Sequence, residues 1–161
     1  MSKLQNIRII EIPKFRAVSS GLKTFDELFS ENGFGNWIEL NGKIIKNIIY
    51  AAPDFMWHEG EKNVWIYAVE DWVTEKDAAP YEIIEFEGGI YAAVTADEND
   101  NDDCGEVYYG ALKWIENNGV FESDDKPGNR CIFHRVGCGA IQEALGMAQQ
   151  EMFLPIKLRN E

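Results

Sequence analysis

Glu151 is the carboxylate with the clearest chemical promise in this chain, because its neighbours along the last strand separate by type with a period of two. Gln150, Met152, Leu154, Ile156 and Leu158 make an almost purely apolar face, while Gln149, Glu151, Phe153, Pro155 and Lys157 make a mixed one. The apolar face must meet the helices, which puts Glu151 beside Phe153 on the other. A carboxylate ringed by aromatics is a receptor for flat or lipophilic cations. The rings supply area and a cation–π attraction of about 0.5–2 kcal/mol, and the carboxylate compensates the charge. The same group, partly desolvated, has a raised pKa and can act as a general base. On a merely amphipathic strand Glu151 would point to water.

Other constellations carry less. Cys131-x-x-His134-x-x-x-Cys138 has the residue types of a metal site, but on a strand over 130–136 Cys131 and His134 face opposite sides and share no metal without a bulge. Asp100-x-Asp102-x-Cys104-Gly105 begins like a calcium loop, yet Ala111 stands at the twelfth position, where a bidentate Glu is required. No metal and no cofactor is therefore expected. There is no GxGxxG, no Walker sequence and no nucleophile-elbow serine, so nucleotide and acyl-transfer chemistry have no support.

The elements that must position Glu151 come from an internal repeat. Ile9-Ile10-Glu11-Ile12 returns as Ile83-Ile84-Glu85-Phe86, and Phe15-Arg16-Ala17-Val18 as Ile90-Tyr91-Ala92-Ala93-Val94. Thr24-x-x-Glu27 is answered by Asp103-x-x-Glu106, and Asn32-Gly33-Phe34 by Asn118-Gly119-Val120. Residues 64–69 are answered by 150–155, which maps Trp65 onto Glu151 and Tyr67 onto Phe153. If those strands are symmetry mates, the four side chains line one surface. The drift in spacing marks a duplication with loop insertions rather than a solenoid.

In the first half, residues 7–12 read as strand ended by Pro13. Thr24 and Glu27 form a capping box for a short helix with Phe25, Leu28 and Phe29 on its inner face. Residues 32–36 interrupt that helix, 37–46 resume it, 47–52 turn extended, and 53–62 make a hairpin-like connection into a strand over 63–69. In the second half, strands over 81–86 and 90–96 join at Glu87-Gly88-Gly89, and an acidic loop follows over 97–103. A helix then runs from about 104 to 118 with Val107, Ala111, Trp114 and Ile115 on one stripe. A strand over 130–136, a glycine-rich loop and the strand over 149–158 complete the chain. Two β-α-β-β runs make an α+β fold with antiparallel sheet and helices on one face.

The 161 residues allow one domain with a real core, read as two half-repeats of about 5–78 and 79–161. The start lacks an apolar leader and no apolar run can span a bilayer, so a soluble, cytoplasmic protein without membrane partners is expected. Three cysteines make a disulfide framework unexpected. With 28 acidic against 15 basic side chains the net charge is −13, which disfavours direct nucleic-acid binding. Such a surface serves solubility first, and it attracts cationic small molecules or the basic surface of another protein.

The segments 9–18 with Pro13, Glu85-Phe86-Glu87-Gly88-Gly89-Ile90-Tyr91-Ala92, Ala111-Leu112-Lys113-Trp114-Ile115 before Asn117-Asn118-Gly119, and Glu151-Met152-Phe153-Leu154-Pro155-Ile156 together resemble the GyrI-like proteins. That family shares its fold with the effector-binding domains of AraC- and MerR-type transcription regulators. The resemblance implies tandem pseudo-symmetric β-α-β-β repeats forming one antiparallel sheet, with a central groove for hydrophobic, often cationic, aromatic compounds. It implies Glu151 as the reader of charge and a ligand-binding set of Glu151, Phe153, Trp65, Tyr67, Tyr91, Trp114, Tyr50 and Trp37. Trp114, on the helix's apolar stripe, equally serves the core. The function implied is that of a sensor or sequestering protein. A first alternative is a hydrolase of cyclopropane-bearing electrophiles in which Glu151 and a tyrosine activate water. Tyr91 matches the family's glycine-then-tyrosine signature, and Tyr50 or Tyr67 could equally serve. A second alternative is an acidic partner of DNA gyrase or another basic protein. The chain departs from the family over 34–52 and has no helix-turn-helix segment to spare.

Overall fold

In the computed structural model, which describes residues 7–48, 52–136 and 139–160, Pro13 ends β1 (Arg8–Ile12) and β2 (Phe15–Ser19) begins two residues later. The strands of the two sequence echoes exchange partners. β1 pairs with β6 (Gly89–Asp97), Ile9 opposite Ala92, while its echo β5 (Glu82–Phe86) pairs with β2, Ile84 opposite Ala17. Gly88 makes the turn from β5 to β6. Its φ of 72° is a left-handed conformation that favours glycine, and a Cβ there would lie 2.0 Å from the Ile12 carbonyl oxygen. The chain accordingly divides into an N-terminal unit, Lys14–Glu87, and a C-terminal unit, Gly88–Glu161 with Met1–Pro13.

The N-terminal unit orders its strands as β3 (Asp54–Glu59), β4 (Lys62–Ala68), β2, β5, all antiparallel. The expected capping box starts α1 (Phe25–Phe29): Thr24 Oγ1 accepts from the Glu27 amide at 3.2 Å, and Glu27 Oε2 accepts from the Thr24 amide at 2.7 Å. Only Leu28 faces inward. Phe25 and Phe29, expected on the inner face, are 49% and 61% exposed. A five-residue helix has too little surface to bury three large side chains, so the two rings stack on each other outside, 6.1 Å apart, as an i, i+4 pair. α2 (Phe34–Leu40) begins earlier than the sequence indicated, because Gly33 packs against the Glu27 and Leu28 carbonyls, where a Cβ would sit 2.3 and 2.6 Å away. A 3-10 turn, Gly42–Ile44, follows. The hairpin-like connection over 53–62 is in fact β3, a full strand whose apolar residues fall on both faces and so hide its period. A short α3 (Glu75–Ala78) precedes β5.

The C-terminal unit orders its strands as β1, β6, β9 (Gln149–Leu158), β8 (Ile132–Arg135), with β7 (Phe121–Ser123) also on β9, again all antiparallel. α4 (Asn101–Asn117) lays Val107, Ala111 and Ile115 on Ala92, Val94, Met152, Leu154 and Ile156. This is the packing the alternation of β9 demanded. α4 starts three residues before the expected Cys104, because Asp100 caps it by accepting from the Asp103 amide at 3.0 Å. Asp100, not Asp103, therefore does the work that Thr24 does for α1. The glycine-rich loop contains α5 (Gly139–Leu145). The α+β class, antiparallel pairing and stacking of helices on one sheet face hold in each unit. No helix among the described residues is long and apolar enough to cross a membrane.

Candidate functional site

Four strands of the C-terminal unit carry the candidate site on the face turned away from α4. Strand register sets its rows. One runs Arg8, Ala93, Phe153, Ile132 across β1, β6, β9 and β8; the next runs Thr95, Glu151, His134 across β6, β9 and β8; Tyr91 lies opposite Pro155. Glu151 is 5% exposed, so it does not point to water. A buried carboxylate needs partners for its charge, and Arg8 and His134 are among them. Its Oε2 lies 3.1 Å from His134 Nε2, and its Oε1 accepts from Arg8 Nη2 at 2.9 Å. Arg8 reaches Glu151 across β6, a separation of two strands or about 9–10 Å. The intervening Ala93 has no side chain beyond Cβ to obstruct it. The Phe153 ring meets His134 edge-on at 5.6 Å and Tyr91 at 6.4 Å, so aromatic surface flanks the carboxylate.

Tyr91 shares this face but leans the other way. Its ring passes over Gly89, whose absent Cβ would lie 4.0 Å from the Tyr91 hydroxyl, and Gly89 is further from the Glu151 row than Tyr91 itself. Burial, helped by the charges of Cys131 and Asp124, pushes the Tyr91 phenol up to about 12. It is a hydrogen-bond donor at neutral pH, not a base. The titratable side chain placed on Glu151 is instead the His134 imidazole.

The remaining residues of the expected set lie elsewhere. Trp65 and Tyr67 sit on the face of β4 that meets α1 and α2, with Phe34 5.6 Å from Trp65 and 6.3 Å from Tyr67. Trp65 Nε1 donates to Asp54 Oδ2 at 2.9 Å, and burial raises the Tyr67 pKa, with the Asp54 and Glu39 charges adding to it. Trp37 belongs to the same cluster through Tyr81, 5.1 Å away. The echo between 64–69 and 150–155 is therefore out of phase by one. Trp65 and Tyr67 are the helix-facing residues of their strand, as Met152 and Leu154 are of theirs, and the counterparts of Glu151 and Phe153 are the even-numbered positions. Trp114 packs against the α4 core, and Tyr50 lies outside the described residues. Cys131 also packs on the α4 side, opposite His134, and burial pushes its thiol up to about 12; Cys138 lies outside the described residues.

Two features escaped sequence reasoning. Arg8 and His134 were visible only as polar residues in short apolar strands, RIIEI and IFHR, where Glu11 and Arg135 gave the same signal. In the N-terminal unit, the even-numbered face of β4 carries Val64 and Ile66 under Phe15, Phe55, Trp57 and Phe86. Phe15 and Phe86 are 5.0 Å apart and Phe55 is 5.9 Å from Phe86. β3, unrecognised as a strand, supplies two of these rings.

No family model and no curated protein sequence matches the chain. Solved structures do. The chain is similar to SAV2435 bound to tetraphenylphosphonium, with a TM-score of 0.55 and 12% identity over 95% of this chain and 94% of that one. It is similar to the EcmrR C-terminal domain, with a TM-score of 0.61 and 16% identity over 94% and 97%. A hydrolase from Listeria innocua gives a TM-score of 0.65 and 11% identity over 94% and 91%. At such identities the likeness is one of fold.

Proposed function

We propose that this protein binds hydrophobic, cationic aromatic small molecules, as a cytoplasmic sensor or sequestering protein of the GyrI-like kind spanning residues 1–161. The observation that carries this reading is the near-complete burial of Glu151 beside the ring of Phe153. A desolvated carboxylate attracts a cation far more strongly than one in water, and a soft organic cation loses less hydration than a metal or ammonium ion on entering such a site. The fold shared with a protein bound to tetraphenylphosphonium supports the choice of ligand class. Glu151 reads the charge, Phe153 supplies area, and Tyr91 bounds the apolar end.

Calorimetric titration with tetraphenylphosphonium and with neutral triphenylphosphine oxide tests it. Glu151→Gln is expected to weaken the cation by about tenfold, the scale of a lost charge-assisted contact of 1–2 kcal/mol, and to leave the neutral compound unchanged. Equal cation affinity in wild type and variant would sink the reading. Hydrolysis of a bound electrophile is the second reading, favoured by the His134–Glu151 contact, since a carboxylate and an imidazole within hydrogen-bond reach can pass a proton to and from water. Partnership with DNA gyrase or another basic protein draws on the net charge alone, and Asp97, Asp100 and Asp103 of the acidic loop already accept backbone amides.

A further inference from the structure

We infer that Arg8 is an internal counterion, holding the cation-reading oxygen of Glu151 until a ligand cation displaces it, and so sets the selectivity of the site; this rests on the binding reading above. A carboxylate as buried as Glu151 must be compensated when no ligand is present. Its partners Arg8 and His134 differ in kind. The His134 side chain is 7% exposed, fixed between β8 and β9, and it holds Oε2. The Arg8 side chain is 54% exposed, comes from the outermost strand of its unit, and holds Oε1 through one nitrogen rather than a two-nitrogen fork. A long, half-solvated guanidinium regains rotamer freedom and hydration when it swings out. His134 has no such exit, so of these two Arg8 is the exchangeable one.

The consequence is a filter. A compound that brings a positive charge to Oε1 replaces what it removes. A neutral compound of the same shape leaves Arg8 in place and gains nothing from Glu151. A strongly hydrated cation pays more to lose its water than Arg8 regains by leaving. The apparent affinity of a true ligand is lowered by the fraction of molecules in which Arg8 holds the oxygen.

The test is calorimetry on the full chain with tetraphenylphosphonium and triphenylphosphine oxide, comparing wild type, Arg8→Gln, Arg8→Lys, Glu151→Gln and the Arg8→Gln/Glu151→Gln double variant. Arg8→Gln should bind the cation about three- to tenfold more tightly, the range a partly exposed ion pair allows, with the neutral compound unaffected. Arg8→Lys should return affinity towards wild type, and the double variant should bind no more tightly than Glu151→Gln alone. If wild type binds the cation in a Glu151-dependent way and Arg8→Gln binds it equally or more weakly, the counterion role is overturned while the binding reading stands. If no form binds the cation, the binding reading falls and takes this one with it. Should Arg8→Gln fail to fold, the Arg8 Nη2–H resonance of the wild type, the group in contact with Glu151, decides. It should be protected from solvent exchange in the free protein and lose that protection at saturation, and an unchanged resonance would overturn the inference.

Discussion

The two units cover one sheet face with helix in the same manner and part company on the other face. In the C-terminal unit that face buries a carboxylate, Glu151, in contact with the buried His134 and the half-exposed Arg8, between Phe153 and Thr95. In the N-terminal unit it is a field of rings, with Phe86 5.0, 5.9 and 6.2 Å from Phe15, Phe55 and Trp57. The helix-covered face has to satisfy packing in both units, and on the other face the two differ in chemistry. Rings attract without strict direction and tolerate displacement, whereas a buried carboxylate demands named partners at set distances. One unit thus presents rings on this face and the other a buried carboxylate.

That contrast predicts a brittle face and a tolerant one. His134→Leu removes a partner from a buried carboxylate and should cost about 3 kcal/mol of unfolding free energy, near the upper end for hydrogen bonds to charged groups. Adding Glu151→Leu should recover part of the loss, because a buried hydrogen-bonded pair replaced whole by apolar groups is often nearly neutral. Urea unfolding of the two variants measures this; a double variant destabilised by the full sum of the single ones would break the contrast. Phe86→Ala on the ring-bearing face should cost less, about 2 kcal/mol, below the usual range for a fully buried phenylalanine because this ring is only partly buried. Phe86→Leu should cost less still. If Phe86→Leu cost more than His134→Leu, the ring-bearing face would be the brittle one.

The sequence carried the class of fold and the face of Glu151, and it carried them for a simple reason. β9 alternates strictly, so its apolar side named its own partner, α4. The capping box at Thr24 was legible because two side chains reciprocate over three residues. β3 was not legible, since Phe55, Met56 and Trp57 are apolar in succession and charged residues close the strand. Losing β3 cost two of the four rings. The pairing of Trp65 with Glu151 failed at a subtler point, because a one-residue slip between two matching strands leaves the resemblance intact and exchanges their faces. Arg8 and His134 were beyond reach for a different reason. They meet Glu151 through register across four strands, and no local spacing encodes the order β1, β6, β9, β8.

The smallest effect expected concerns two tyrosines, one in each unit. The Tyr91 phenol, ordinarily at 10.0, is pushed up to about 12 chiefly by burial, and Tyr67 is raised by burial and by the Asp54 and Glu39 carboxylates. Below pH 10 both are protonated in the folded and unfolded chain alike, and their contribution to stability is fully present. As pH rises from 10 towards 12 the unfolded chain releases these protons while the folded chain keeps them, so stability falls. Tyr91→Phe should remove up to one proton's worth of that slope and Tyr67→Phe a similar share, with each variant otherwise retaining the wild-type profile below pH 9. Unfolding free energy measured by urea at half-unit steps from pH 8.5 to 11.5 gives the slopes. Equal shares would mean that the charged and the aromatic unit exclude water to the same degree. A slope lost only in Tyr67→Phe would show that water reaches Tyr91 and therefore the apolar end of the Glu151 face, which would move the proposed binding surface away from Phe153 and towards Thr95.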